Sequence, residues 1–311
     1  MPNCVFETAS LVDINMRFGN MEFEPYICDG ISFINLPNLR KLDLFLYDSH
    51  RYLLGTLFKS LPLLEDLELW LNLTENDHSI GISAPNLKRL FIHLTDHKTC
   101  RFSIDAPKLE YCNTGGYFYH FVNSPSSLQE VELRLSDTIY RDDDYYDDDE
   151  YEYLEPILGL IDGITCVRSL RLYGNGGHLL SYLSNLGIDM PVFRNLTHLR
   201  FSIVNVLRDK LPDCILGNLK RLEIGGLKLI DYYVEIEWLE HTLNNAPLLE
   251  ELHVTMDINC QGNPDYEQKE YNFCKTFFRR SWSCRIEFCG QSIIASSSNL
   301  RNGRLTCEMR L

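Results

Sequence analysis

Four residues able to ligate a metal fall within a short span: His93, Asp96, His97 and Cys100, in the order H-x-x-D-H-x-x-C. Imidazole, carboxylate and thiolate are all zinc ligands. A metal-dependent enzyme would be built there. The residue pattern, however, puts His93 in a strand and the other three in the loop that follows. Convergence on one ion does not follow from that spacing, and an ordinary polar loop is the better reading. Cys284 and Cys289 flank Arg-Ile-Glu-Phe and have no partner pair, so they read as buried thiols. Gly174-Asn175-Gly176-Gly177 lacks the Lys-Ser/Thr of a phosphate-binding loop and reads as the end of the strand at 171–173. Neither G-x-S-x-G nor H-E-x-x-H occurs. Asn72-Leu73-Thr74 and Asn195-Leu196-Thr197 match the glycosylation sequon. With no secretory signal, they read as chance. Nothing here argues for catalysis or for a cofactor.

The charge balance narrows the partners. The chain has 311 residues, with 29 basic and 44 acidic, for a net charge of −15. Nucleic acid and anionic membrane surfaces would be repelled. No stretch approaches the ~20 apolar residues of a membrane span. The N-terminus lacks the basic and apolar regions of a signal peptide. The eleven cysteines are odd in number and contain no C-x-x-C. Reduced thiols in the cytoplasm or nucleus are expected, with Cys112 and Cys166 in apolar, strand-like runs.

One pattern recurs along the chain: a Pro or small residue, then L-x-x-L-x-L. It reads Leu-Pro-Asn-Leu-Arg-Lys-Leu-Asp-Leu at 36–44, Leu-Pro-Leu-Leu-Glu-Asp-Leu-Glu-Leu at 61–69 and Ala-Pro-Asn-Leu-Lys-Arg-Leu-Phe-Ile at 84–92. The central apolar residues are Ile14, Leu42, Leu67, Leu90, Cys112, Val131, Leu170, Leu199, Leu222 and Leu252, spaced 19 to 39 residues apart. Most intervals match the leucine-rich-repeat period of ~20–29 residues. Alternating apolar residues make a short strand with one buried face. The rest of each repeat returns the chain to the next parallel strand. Helix-like stretches at 51–60, 179–186 and 234–244 would lie behind the strands. The expected fold is therefore α/β: a leucine-rich-repeat solenoid, an irregular arc with parallel strands on the concave face and helices and loops on the convex face.

Two features depart from a regular array. The asparagine that usually follows the strand and ties successive turns is mostly missing. The longest interval holds Arg-Asp-Asp-Asp-Tyr-Tyr-Asp-Asp-Asp-Glu at 141–150, seven acids in ten residues. This reads as a solvated, mobile loop. The expected organisation is a repeat array over 1–208, final repeats and a cap over 209–291, and a poorly ordered tail over 292–311.

The residues between the strand leucines point away from the core. One outward row reads Asp43, Glu68, Phe91, Asn113, Glu132, Arg171, Arg200, Glu223, His253. The next reads Phe45, Trp70, His93, Gly115, Arg134, Tyr173, Ser202, Gly225, Thr255. Neighbouring strands lie ~4.8 Å apart, so adjacent side chains in a row should touch. Phe45, Trp70, Phe91 and His93 would make an aromatic patch. Arg134, Arg171 and Arg200 would make a basic one, with Tyr173 beside it. Aromatic and arginine clusters are what protein-binding hot spots use. The expected partner is a protein substrate on the concave face.

The pattern P-x-L-K/R-x-L-x-[LI] resembles that of plant F-box/LRR-repeat proteins. Leu211–Met256, with Trp-Leu-Glu-His-Thr-Leu-Asn-Asn-Ala-Pro-Leu-Leu-Glu-Glu-Leu-His-Val, resembles their FBD-type C-terminal region. Phe273–Phe288, with Ser-Trp-Ser-Cys-Arg-Ile-Glu-Phe, fits that region's closing strand. The resemblance implies a receptor that selects substrates for ubiquitin-mediated degradation, docking through an N-terminal F-box on a Skp1-like adaptor. No F-box is recognisable here. The opening P-N-C-x-F-x-x-x-x-L-V resembles a stretch that follows the F-box in that family. A Skp1-like adaptor is thus expected only if an F-box lies upstream. A truncated, non-functional repeat fragment is an alternative.

Overall fold

A computed structural model describes residues 10–17, 35–47, 52–73, 78–94, 100–115, 119–135, 154–174, 191–202, 210–227, 232–256, 272–273, 275, 284–289 and 304–307. The chain divides into two compact units, Met1–Cys166 and Val167–Leu311.

The first unit contains β1 (Asp13–Arg17), β2 (Lys41–Tyr47), α1 (Tyr52–Leu57), β3 (Asp66–Asn72), β4 (His78–Ser83), β5 (Arg89–Leu94), β6 (Cys100–Asp105), β7 (Tyr111–Gly115), β8 (Tyr119–Phe121), β9 (Glu130–Leu135) and α2 (Leu154–Gly163). Its main sheet runs β1-β2-β3-β5-β7-β9, all parallel. The expected anchors stand opposite one another: Ile14, Leu42, Leu67, Leu90, Cys112 and Val131 are successive register partners. Leu42, Leu67 and Leu90 are fully buried.

The short motif before the repeat strands is a tight turn, with proline in five cases and without it in two. Leu39, Leu64, Leu87, Leu109, Leu196, Leu219 and Leu249 each donate a backbone N–H to the carbonyl three residues earlier, at 3.1 to 3.4 Å. Pro37, Pro62, Pro85, Pro107 and Pro247 sit second in their turns, where a fixed φ suits the geometry. The apolar residues at both ends of these turns are at most 4% exposed.

Each turn also ties itself to the previous repeat. The carbonyls of Val12, Arg40, Glu65, Lys88 and Glu110 each accept two backbone N–H groups from the next strand's start, at 2.8 to 3.2 Å. Arg168, Thr197 and Lys220 do the same in the second unit. The tying asparagine has moved into the turn: Asn86 Nδ2 donates to the Pro62 carbonyl at 2.8 Å, and Asn218 Nδ2 to the Arg194 carbonyl at 3.1 Å. This is why an asparagine after the strand is dispensable here.

The return leg differs from expectation in the middle repeats. There, β4, β6 and β8 form a second parallel sheet in place of helices. Interval length limits any helix there. Anchors Leu67, Leu90, Cys112 and Val131 are only 23, 22 and 19 residues apart, too short for two turns, a strand and a helix of several turns. The sequences His-Ser-Ile-Gly-Ile-Ser and Cys-Arg-Phe-Ser-Ile-Asp alternate with period two, as strands require. Their inward residues Ile80, Ile82, Phe102 and Ile104 are buried. Phe102 stacks on Tyr119, with centroids 5.0 Å apart and planes 10° apart. The Tyr119 hydroxyl donates to the Gly115 carbonyl of β7, which brings the small sheet against the main one. The long interval after Val131 holds α2. Its last residue, Gly163, lies so close to Phe121 that a Cβ there would sit 3.2 Å from the ring's Cγ.

The second unit contains β10 (Ser169–Gly174), β11 (His198–Ser202), α3 (Asp213–Leu216), β12 (Arg221–Leu227), α4 (Tyr232–Asn245), β13 (Glu251–Met256), β14 (Arg285–Cys289) and β15 (Arg304–Cys307). β10 to β14 are parallel, and β15 returns antiparallel to β14. Leu170, Leu199, Leu222, Leu252 and Ile286 are successive register partners. β12 carries a register shift between Ile224 and Leu227, where Gly226 has φ 75°. Gly174 closes β10 with φ 67°, so it does end that strand. α4 packs behind the sheet through Trp238, which meets Phe201 edge-on with centroids 5.9 Å apart.

The helices expected at 51–60 and 234–244 appear as α1 with the 3-10 turn Phe58–Ser60, and as α4. The stretch 179–186 and the acidic run 141–150 lie outside the described residues. Cys166 is in a turn rather than a strand, and its thiol donates to the Pro125 carbonyl at 3.3 Å.

Candidate protein-recognition face

The strand pattern pushes every second residue out of the core, and register lines these residues up across strands. In the first unit, Phe45, Trp70 and His93 are direct register partners on β2, β3 and β5. Trp70 stacks on His93 with centroids 3.9 Å apart and planes 22° apart. Glu68, two residues earlier on the same side of β3, accepts the Trp70 indole N–H at 3.0 Å and lies 3.4 Å from His93 Nε2. Phe45 packs against Tyr47 at 5.2 Å, and Phe91 against Tyr111 at 5.1 Å. The four aromatic residues expected on this face therefore stand on three adjacent strands. Trp70 is 36% exposed. Arg134 is exposed on β9, and its charge is felt at His93.

Burial pushes the His93 imidazole below its ordinary pKa of 6.5, helped by Arg134 and opposed by Glu68. The unfolded chain therefore protonates His93 first as pH falls. Stability supplied by neutral His93 is full above pH 6.5 and declines as pH drops through the folded value. Glu65, held below its ordinary 4.5 chiefly by the Lys88 hydrogen bond, adds a second decline below pH 4.5. Urea titrations over a pH series are expected to show the upper decline in the native chain and to lose it in His93→Gln. An unchanged upper decline would place its source elsewhere.

Deeper on the face, Asn113 Nδ2 donates to Glu132 at 3.0 Å and to the Tyr111 hydroxyl at 3.3 Å. Its Oδ1 is buried with no hydrogen-bond partner. Sequence reasoning placed Glu68, Asn113 and Glu132 on the outward row but did not select them. The signal available was Glu68 two residues before Trp70, which in a strand puts both on one side.

The second unit's outward face is a charge network. Arg171 and Arg200 are register partners, as expected. Arg200 lies 6.0 Å over the Tyr173 ring and pairs with Glu223 at 3.6 Å. Arg221 pairs with Glu223 at 2.8 Å and with Glu251 at 3.2 Å, and Arg285 also pairs with Glu251. Burial alone would raise the Glu251 carboxyl, but His253, Arg285 and Arg221 hold it below its ordinary value. His253 Nδ1 lies 2.7 Å from Glu287, which is 6% exposed. The strand starts carry a similar alternation: Arg40–Glu65, Glu65–Lys88 at 2.8 Å, and a two-pronged Asp66–Arg89 contact at 2.6 and 2.5 Å.

Of the possible metal ligands, His93 stands on the outer side of the main sheet, whereas Cys100 is buried in the small sheet. Asp96 and His97 lie outside the described residues. Among the described residues, no group of three or more His, Cys, Asp or Glu could hold a metal ion. Burial raises the Cys112 thiol to about 12 and the Cys284 thiol to about 11, as suits packed sulfur rather than nucleophiles. Among the described residues, no helix is long and apolar enough to cross a membrane.

Register-matched strands with buried leucines, proline turns and outward rows of rings and charges define an α/β leucine-rich-repeat protein. No family model matches the chain. It is 31% identical over 199 residues to F-box/LRR-repeat protein At1g06630 of Arabidopsis thaliana, covering 62% of this chain and 45% of that protein. It is 25% identical over 293 residues to F-box/LRR-repeat protein At3g59160 of the same plant, covering 85% of this chain and 61% of that protein. The chain is thus similar to plant F-box/LRR-repeat proteins, and it spans about half the length of these relatives.

Proposed function

We propose that the chain is a non-enzymatic protein-recognition module. In this reading it selects a protein substrate through its outward strand faces for ubiquitin-mediated degradation, working in the cytoplasm or nucleus. The observation that carries the reading is the row Phe45–Trp70–His93, whose half-exposed indole is already stacked and hydrogen-bonded. Pre-ordered aromatic groups lose little entropy on binding. The F-box/LRR names of both relatives support the ligase connection. A Skp1-like adaptor would be engaged through an F-box, which is distinct from the repeats described here.

Trp70→Ala combined with Arg171→Ala tests the face. Partner affinity is expected to fall by about 2 kcal/mol or more while the fold is kept. This is measured as a binding curve beside a melting curve. Unchanged affinity would move the site off these residues. A pull-down of the full-length protein without a Skp1-like adaptor would remove the ligase role and leave recognition standing.

A further inference from the structure

The outward rows of the two units differ in charge. In the first unit, the row Asp43, Glu68, Phe91, Asn113, Glu132 carries three carboxylates and no cation. The corresponding row of the second unit, Arg171, Arg200, Glu223, His253, Glu287, pairs its own charges. Asp43 and Glu68 are direct register partners, an arrangement in which like charges repel. Local rules are broken in this way where function requires it.

Glu68 is also pre-set. The Trp70 indole N–H and His93 Nε2 both approach the same oxygen, Oε1, and the side chain is 33% exposed. Among the described residues, Oε2 has no partner. The adjacent indole is exposed and has one ring neighbour, His93, among the described residues. An oriented carboxylate beside an open indole suits a guanidinium. Its N–H groups would meet the oxygen while its plane lies on the ring. The net charge of −15 would steer a basic segment toward the chain.

We infer that this row receives an arginine-bearing basic segment of the protein partner, with Glu68 Oε2 as the charged acceptor and Trp70 as the stacking platform. The inference rests on the recognition reading above and names the partner's chemistry.

A short fluorescein-labelled peptide of alternating Arg and Ser is the probe, with a Glu-for-Arg counterpart, read by anisotropy on the full chain at physiological salt. The arginine peptide is expected to bind and the glutamate peptide not to bind. Glu68→Gln, nearly isosteric and checked by circular dichroism, is expected to weaken binding by about tenfold or more, as loss of a charge-assisted hydrogen bond implies. The triple variant Asp142→Asn/Asp143→Asn/Asp144→Asn, which removes three charges from the acidic run and none from this row, is expected to change binding less than about twofold. Binding that survives Glu68→Gln, or that follows the triple variant instead, overturns the inference. A partner protein that is lost with Trp70→Ala yet indifferent to Glu68→Gln would preserve the recognition reading and remove only the basic-segment one.

Discussion

Phe102→Ala is expected to lower the unfolding free energy of the first unit by about 3–5 kcal/mol. Phe102 is 2% exposed and stacks on Tyr119. Truncation removes most of a ring from the layer between two sheets, and both sheets are held by their own backbone ladders. They cannot collapse into the space without breaking bonds such as that from Tyr119 to the Gly115 carbonyl. The cost is therefore the lost transfer energy plus an unfilled cavity. Total domain stability is only about 5–15 kcal/mol, so the variant is expected to be partly unfolded at physiological temperature. Urea denaturation followed by circular dichroism measures this. A loss below about 1.5 kcal/mol would mean that the two sheets are not rigidly spaced by this ring.

Leu67→Ala is expected to cost about 2–5 kcal/mol. Leu67 is fully buried on β3, with Leu42 and Leu90 as its neighbours in register. The alanine leaves a gap in the middle of the leucine row, flanked on both sides by strands whose spacing the hydrogen bonds fix. Leu67→Met keeps the volume and is expected to cost less than about 1.5 kcal/mol. Equal losses in the two variants would show that branching at this position, rather than volume, decides the packing. The same denaturation curves distinguish the cases.

The strand register was legible because two signals coincided, the buried leucine alternation and the tight turn before it, which carries proline ahead of Leu42, Leu67 and Leu90 and asparagine ahead of Leu199 and Leu222. Leu42, Leu67, Leu90, Leu199 and Leu222 all fall where that pattern put them. What followed the strands was less legible. The return segments are short, and a run such as Cys-Arg-Phe-Ser-Ile-Asp alternates with period two but carries no tertiary label. Interval length limits the length of a helix without selecting a strand: the 23 residues between Leu67 and Leu90 return through β4, the 23 between Leu199 and Leu222 hold the one-turn helix α3, and the 30 between Leu222 and Leu252 hold the long helix α4. At the candidate site, the rings on Phe45, Trp70, Phe91 and His93 were readable from alternation alone. The pairing that sets their chemistry was not. Arg200 looked like one member of a basic run, yet Glu223 on the next strand answers its charge at 3.6 Å. Cross-strand pairing depends on register, and register is a product of the whole stack.

The doubled backbone bonds at each strand start use only peptide groups, so they are blind to the side chains that occupy those positions. Arg40, Glu65, Lys88 and Glu110 all serve alike. A coil held by main-chain stitches can exchange one winding for another as a cassette, provided the proline bend and the inward leucines travel with it. The loops behind can lengthen or shorten without moving the display surface. Such an architecture lets new specificities arise by reassorting windings, with the scaffold's geometry carried over intact.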